Sequence, residues 1–311
     1  MTPAQANALL ALGATLRQAG YRFMTVTPST HRRINGRPGN EHARNLRDVF
    51  GWSRPFSAAV LPPGMLDLMA AAGVLAGTGN DLRSTVRVST LDDMLLFHSA
   101  YPTHDDDAVF FGPDTYRFVG AMQRAFGAQD VAPKRAIDIG CGGGAGALAI
   151  AQAFPDADVI GADVNRAALD LAQVNARLNG AANVTTRESD LFAGVTGDFD
   201  LVISNPPFVV DPDERPYRHG GGEHGAELSR RIVEEGLARL RPGGRLMLYT
   251  GVALSGAEDH FLESVRATLD AQCTTWSYEE LDPDIFGGQL GEPGYEKVER
   301  IAAVWLQARK H

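Results

Sequence analysis

Cysteine is scarce in this chain of 311 residues, where Cys141 and Cys273 are the only two. Two thiols cannot build the disulfide framework that staples small secreted domains, and they fit a reducing compartment. Long apolar runs are also missing. None approaches the ~18 residues that a membrane helix needs, and the opening MTPAQANALLALGATLRQ has no basic start ahead of its apolar positions, as an export signal would. The expectation is a cytoplasmic protein with no membrane partner. There is no internal repeat and no low-complexity tract. Positive charge is in deficit: 29 Lys and Arg stand against 38 Asp and Glu, a net charge of −9 that counts against nucleic acid as a partner of the whole chain.

That average conceals two unlike parts. Residues 1–60 hold eight arginines against Glu41 and Asp48, or +6, which leaves −15 for the remainder. A basic loop with Arg32, Arg33 and Arg37 is a candidate contact surface for RNA or for an acidic protein, or is simply solvated. Up to about residue 100 helical patterns dominate. Ala6, Leu9, Leu12 and Leu16 share one face of a helix over 3–19, Asn40 is placed to cap a second through Leu46 and Val49, and a third runs over 65–74. Residues 83–90 then alternate as a strand does. Helices followed by a ribbon fit a winged-helix unit, or a small helical domain that covers part of a larger one. We expect a substrate-recognition domain over residues 1–104 and a catalytic domain over 105–311.

From residue 134 short apolar runs alternate with amphipathic helices, the pattern of a parallel sheet covered on both faces. Strands are expected over 134–140, 158–163, 183–190, 200–207, 245–252, 273–281 and 299–307, which makes an α/β, Rossmann-like sheet of seven mostly parallel strands. The last two are joined by a stretch rich in Gly, Pro and acids, and are expected to pair antiparallel at an edge.

The first of these strands runs into Asp138-Ile139-Gly140-Cys141-Gly142-Gly143-Gly144 before a helix opens. Gly140, Gly142 and Gly144 let a ligand approach the backbone at the carboxyl edge. The loop alone fits a dinucleotide fingerprint, and so a dinucleotide-dependent oxidoreductase, because Gly140, Gly142 and Ala145 loosely satisfy that spacing. Asp138 argues otherwise. It would repel a pyrophosphate and favour the sulfonium and ammonium of S-adenosylmethionine. Asp163, at the end of the next strand, can accept from both ribose hydroxyls. Asp190, after the third, can accept from the adenine amine with Leu191 beside the ring.

Strand four ends in Asn205-Pro206-Pro207-Phe208. An amide or exocyclic amine nitrogen is a poor nucleophile because its lone pair is delocalised. If the Asn205 side-chain oxygen and the Pro206 carbonyl each accept one N–H, the nitrogen can pyramidalise, and the charge that grows on it is stabilised most in the transition state. Phe208 offers a face for a flat group.

On these residues the chain resembles the class I S-adenosylmethionine-dependent methyltransferases of the Asn-Pro-Pro-Phe/Tyr group, the small-domain N-methyltransferases, over roughly residues 109–307. The resemblance implies Asn205, Pro206 and Phe208 as catalytic residues, with S-adenosylmethionine as cofactor held by Asp138, the glycines, Asp163, Asp190, Leu191 and Asn205. It also implies that Phe111-Gly112-Pro113-Asp114-Thr115-Tyr116 lies over the cofactor, so that Thr115 and Tyr116 are further contacts; Tyr116 with Val119 and Met122 equally fits the inner face of a covering helix. The domain order is similar to that of glutamine N5-methyltransferases acting on release factors or a ribosomal protein, which carry Tyr where this chain has Phe208. The same turn is similar to enzymes that methylate guanine N2 or adenine N6 in ribosomal or transfer RNA. Residues 211–225, with Arg215, Arg218, His219 and His224, form a candidate lid. The two histidines have no third His or Cys beside them, so no metal is expected.

Overall fold

The computed structural model describes residues 1–103, 105–127, 132–211, 218–256 and 258–311. Arg215 of the candidate lid therefore lies outside the described residues. Two compact units are present. One comprises Met1–Arg117, Gly142–Ala145 and Ala167–Ala182, the other Phe118–Cys141, Gly146–Arg166 and Asn183–His311. Among the described residues no helix is long and apolar enough to cross a membrane.

The first unit opens with α1 (Pro3–Gln18). Thr2 starts it with a capping box: its side chain accepts from the Gln5 N–H, and the Gln5 side chain accepts from the Thr2 N–H. Leu9, Leu12 and Leu16 are fully buried, as their spacing predicts. The segment expected to be a basic loop is instead a helix, α2 (Pro28–Asn35), with Thr27 as its cap and Pro28 at its first position. Arg32 and Arg33 sit in its last turn and Arg37 follows its Gly36 cap. Only His31 of this helix is buried, so it has no apolar stripe from which periodicity could reveal it. Asn45, not Asn40, caps the short α3 (Leu46–Phe50), while the Asn40 amide donates to the Ile34 carbonyl. After α4 (Met65–Ala72) come two ribbons, β1 (Leu75–Ala76) with β2 (Arg83–Ser84), and β3 (Val86–Leu91) with β4 (Met94–Ser99). The single strand expected over 83–90 is thus divided at Thr85, where it changes partner: the Thr85 N–H donates to the Val74 carbonyl in the β1–β2 register, and the Thr85 carbonyl accepts from the Ala100 N–H in the β3–β4 register.

The rest of the chain runs α5 (Pro113–Phe126), β5 (Arg135–Ile139), α6 (Ala145–Ala153), β6 (Asp158–Asp163), α7 (Arg166–Leu178), β7 (Val184–Glu188), β8 (Phe199–Ser204), α8 (Glu227–Arg239), β9 (Leu240–Leu254), α9 (His260–Gln272), β10 (Cys273–Asp282) and β11 (Arg300–Lys310). The seven strands from β5 onward form one sheet in the order β10-β11-β9-β8-β5-β6-β7. β9, β8, β5, β6 and β7 are parallel, and β11 runs antiparallel to both β9 and β10. The expected sheet is the observed one. Ile137, Val202, Leu246, Leu248 and Val304 on its strands are buried in the core of the second unit.

The core of the first unit gathers α1, α4, β3 and the α7 residues Ala168, Leu171, Val174 and Leu178. On α7 two asparagines face β4. Asn175 Oδ1 accepts from the Phe97 N–H at 2.8 Å and its Nδ2 donates to the Phe97 carbonyl at 3.0 Å. Asn179 makes the same two bonds to Leu95, at 3.1 and 2.8 Å.

Candidate functional site

The site residues of the second unit meet at the carboxyl edge of the parallel strands. Ile139 and Ser204 are the last paired residues of β5 and β8, and the Ser204 hydroxyl donates to the Ile139 carbonyl at 2.7 Å. Gly140 and Asn205, one position further on, therefore leave the sheet on neighbouring strands, ~4.8 Å apart in a regular ladder. On the other side of β5, β6 ends in Asp163, opposite Glu188 of β7. Gly140 turns the chain with φ 67°, and both its N–H and that of Cys141 donate to the Ala162 carbonyl at 2.8 and 3.0 Å. A Cβ at Gly140 would meet nothing within 4 Å, so the backbone faces open space at this edge.

Asp138 lies one residue inside the sheet, 2% exposed. Its Oδ2 accepts from the Ala147 N–H at 2.8 Å, in the first turn of α6. Burial pushes this carboxyl up to about 7, the Ala147 bond opposes the rise, and the charge of Asp163 adds to it. Gly146 makes the approach possible, because a Cβ there would stand 2.7 Å from Asp138 Oδ2. Asp163 is half-buried, and its Oδ1 accepts from the Asn165 N–H at 2.9 Å. Asp190 lies beyond the end of β7 and is exposed, with Arg231 Nη2 at 3.9 Å. Leu191 beside it is buried with φ 45°, and the Ser189 hydroxyl donates to its carbonyl.

Among the described residues the half-buried Asn205 side chain has no hydrogen-bond partner, and nothing donates to the Pro206 carbonyl. Both acceptors are uncommitted. The chain beyond Phe208, in contrast, is held firmly. The Val210 N–H donates to the Tyr295 hydroxyl at 2.9 Å, and the Val210 carbonyl accepts from Gln289 Nε2 at 2.7 Å. Gln289 is itself buried and accepts from Arg218 Nη2 at 3.0 Å, while Arg218 Nε lies 3.5 Å from the buried Asp211 carboxylate. His219 Nδ1 accepts from the Asp211 N–H at 3.1 Å, and His224 packs its ring against Tyr295.

Phe208 is 7% exposed. Its ring lies on the backbone of Gly251, where a Cβ would come within 2.3 Å of it, and it meets Phe286 edge-on at 5.2 Å between centroids. The exposed ring is that of Phe286, held at φ 54° in the β10–β11 connection. Sequence reasoning passed over Gln289, Tyr295, Gly251 and Phe286. The Gly- and Pro-rich composition of 282–293 signals a connection, and nothing in it signals that its side chains brace the turn after β8.

The remaining residues of the expected cofactor set belong to the first unit. Gly142 and Gly144 have φ of 51° and 85°, and the Gly143 carbonyl between them accepts from Asn175 Nδ2. Thr115 Oγ1 accepts from the Gly112 N–H at 3.3 Å, at the start of α5. The Tyr116 hydroxyl accepts from the Thr25 N–H at 3.0 Å, and Val119 and Met122 are buried.

The family model of the methyltransferase small domain matches residues 121–275. The chain is 40% identical over 124 residues to a release factor glutamine methyltransferase of Deinococcus radiodurans, covering 37% of this chain and 44% of that protein. A release factor glutamine methyltransferase of Xylella fastidiosa is 39% identical over 142 residues, covering 42% and 50% of the two chains. This chain thus spans about half the length of the curated relatives it matches. A solved 16S rRNA N2 G1207 methyltransferase of Thermus thermophilus is 19% identical, with a TM-score of 0.48 over 80% of this chain and 62% of that one.

Proposed function

We propose that this chain, which over residues 121–275 belongs to the methyltransferase small domain family, is an S-adenosylmethionine-dependent N-methyltransferase. The observation that carries the proposal is the pair of uncommitted acceptors, Asn205 Oδ1 and the Pro206 carbonyl, beside the open turn at Gly140. The residues suit a cationic adenosine cofactor: a backbone turn open to ligand, a half-buried Asp163 for the ribose hydroxyls, and in Asp138 a buried carboxyl that a nearby positive charge would ionise. When bound, that cofactor supplies an electrophilic methyl group. Asn205 and Pro206 accept the two N–H hydrogens of a planar nitrogen, turn its lone pair out of conjugation and stabilise the charge that develops on it. Tyr295 and Gln289 hold the backbone just beyond, so the acceptors need little reorganisation during the reaction. Phe208, buried between Gly251 and Phe286, fixes the turn from behind.

For the substrate we favour a protein glutamine N5, in a release factor or a ribosomal protein, because the curated relatives are named release factor glutamine methyltransferases. Residues 1–104 then recognise the substrate and 105–311 carry the chemistry. A second reading, an RNA base amine, draws on the net charge of +6 over the first 60 residues.

The experiment follows methyl label from S-adenosylmethionine into cell extract. Label released by protease and not by ribonuclease supports the protein reading, and the reverse supports RNA. Asn205→Ala should keep cofactor affinity in calorimetry and lose about 10²–10³ in turnover; a fully active variant removes the mechanism. Binding of a nicotinamide cofactor in place of S-adenosylmethionine would restore the oxidoreductase reading.

A further inference from the structure

The first unit contains a cavity of about 260 Å³ that the proposed methyl transfer does not use, lined among others by His31, Asn35, Asn40, Ser53, Arg54 and Tyr101. In one part of its wall the hydrogen positions can be assigned from partners alone. Arg54, 4% exposed, donates from Nη1 to the buried Asp48 carboxylate at 2.7 Å and from Nε to Asn35 Oδ1 at 2.9 Å. A guanidinium only donates, so that atom of Asn35 is the oxygen and the other is the NH₂. The NH₂ gives one hydrogen to the Trp52 carbonyl at 2.8 Å and the other to His31 Nε2 at 3.0 Å. Nε2 is therefore an acceptor, and the neutral imidazole carries its hydrogen on Nδ1.

His31 is 1% exposed. Burial first, and then the charge of Arg87, lowers its pKa to about 4 against an opposing effect of the Trp52 carbonyl, so the ring is neutral near pH 7. Its Nδ1–H is buried and has no hydrogen-bond partner among the described residues. Arg54 Nη2 also makes no hydrogen bond among them, its Nη1 and Nε being spent on Asp48 and Asn35. Natural proteins rarely leave a buried donor unpaired. The buried, unpaired His31 Nδ1–H and an Arg54 Nη2 that makes no hydrogen bond, on two residues that line one cavity, suit a ligand that brings oxygen acceptors.

Burial decides what carries those oxygens. A nucleic-acid phosphate is fixed within its backbone and is met by exposed Lys and Arg at the surface. His31 and Arg54 are buried, so an oxygen must reach them on a side-chain arm. Around them Arg32, Arg33, Arg37 and Arg44 are exposed, and Arg32 Nη1 donates to the hydroxyl of Tyr101, whose ring lies on His31 at 4.2 Å. These four arginines outweigh Glu41, the one acid among the residues that line the cavity, and suit neighbouring acids on the same ligand. We propose that this cavity seats a carboxylate side chain of an acidic peptide segment on His31 Nδ1–H and Arg54 Nη2, with the arginines of residues 32–44 gathering the acids that flank it. This does not rest on the assignment of the methyl-transfer site, and the test is one of binding alone.

The full chain, ¹⁵N-labelled, is titrated with an acetylated and amidated Glu-rich octapeptide, its Gln counterpart, inorganic phosphate and an oligouridine. The Glu peptide should bind and the Gln peptide should not. The His31 imidazole should show a protonated Nδ1 in the free protein and shift at that nitrogen on peptide binding. His31→Phe, which keeps a ring against Tyr101, and Arg54→Lys should each weaken the peptide by about tenfold or more. Should either variant fail to fold, the imidazole resonances of the unaltered protein decide. Equal binding of the two peptides, tighter competition by oligouridine, a response to phosphate alone, or a saturated titration that leaves the His31 resonances unmoved each overturns the proposal.

Discussion

Asp138→Asn should stabilise the protein above neutral pH and leave it almost unchanged below pH 4. In the folded chain this carboxyl is buried and its pKa rises from 3.8 to about 7. Between those values the folded state keeps a proton that the unfolded chain has released, so stability falls as pH rises. The slope is ~1.4 kcal/mol per pH unit, and the loss across the window is roughly 4 kcal/mol, complete once pH passes the folded value. Asparagine has nearly the same shape, still offers an oxygen to the Ala147 N–H, and cannot ionise. Urea unfolding at pH 5 and pH 8 should therefore separate the two proteins by a few kcal/mol more at the higher pH. Cofactor binding gives the complementary signal. A cation beside Asp138 favours the carboxylate, so binding below pH 7 should release a proton and strengthen up to about tenfold per unit as pH rises towards 7. Calorimetry in two buffers of different ionisation heat measures that proton, which the variant should lack while binding S-adenosylmethionine more weakly at pH 8. Equal stability differences at pH 5 and pH 8, with no proton released, would falsify this account of Asp138.

Three further changes address the supports of the site. Gly251→Ala puts a methyl against the Phe208 ring; we expect a loss of ~1–3 kcal/mol in denaturant unfolding and reduced methyl transfer with cofactor affinity retained. Gln289→Ala removes the donor to the Val210 carbonyl, and should lower turnover more than it lowers cofactor affinity in paired kinetic and calorimetric measurements. Asn175→Leu strands the Phe97 N–H together with the Phe97 and Gly143 carbonyls, each at ~1–3 kcal/mol, so thermal unfolding should move down by several degrees or more.

Strands β5, β6 and β8 could be read from sequence because each holds an apolar run closed by Gly, Asp or Asn-Pro, and both faces of a parallel sheet are covered, whereas β7 and β10 are more polar and more exposed and show themselves only by their Thr and aromatic residues. Asp138, Gly140, Asp163 and Asn205 could be read because each ends, or nearly ends, such a run, and the pairing of parallel strands then brings those ends together. Asp190 falls two residues beyond β7, just ahead of the turn at Leu191, a displacement that residue spacing does not record. Helix α2 was hidden because His31 alone of its residues is buried, although Thr27-Pro28 is a legible start. The packing of Phe208 was hidden for a different reason. Whether an aromatic ring meets solvent or the backbone of a glycine forty-three positions later depends on strand order, and no local pattern carries that.

The two asparagines of α7 have a consequence for assembly. Four helical residues rise ~6.0 Å, close to the ~6.8 Å between alternate residues of a strand. Asn175 and Asn179 thus offer β4, at nearly strand-like intervals, the acceptor and donor that another strand would have presented to Leu95 and Phe97. The β3–β4 ribbon is closed on that side by a helix that counterfeits a strand, and its other margin is occupied in part by Phe23, which exchanges bonds with Thr90. A naked ribbon is a template for pairing with a second molecule. Here two amides occupy the sites that such a molecule would need, and they lock the ribbon's register, since a slip by one residue would turn the paired groups of Leu95 and Phe97 away from them.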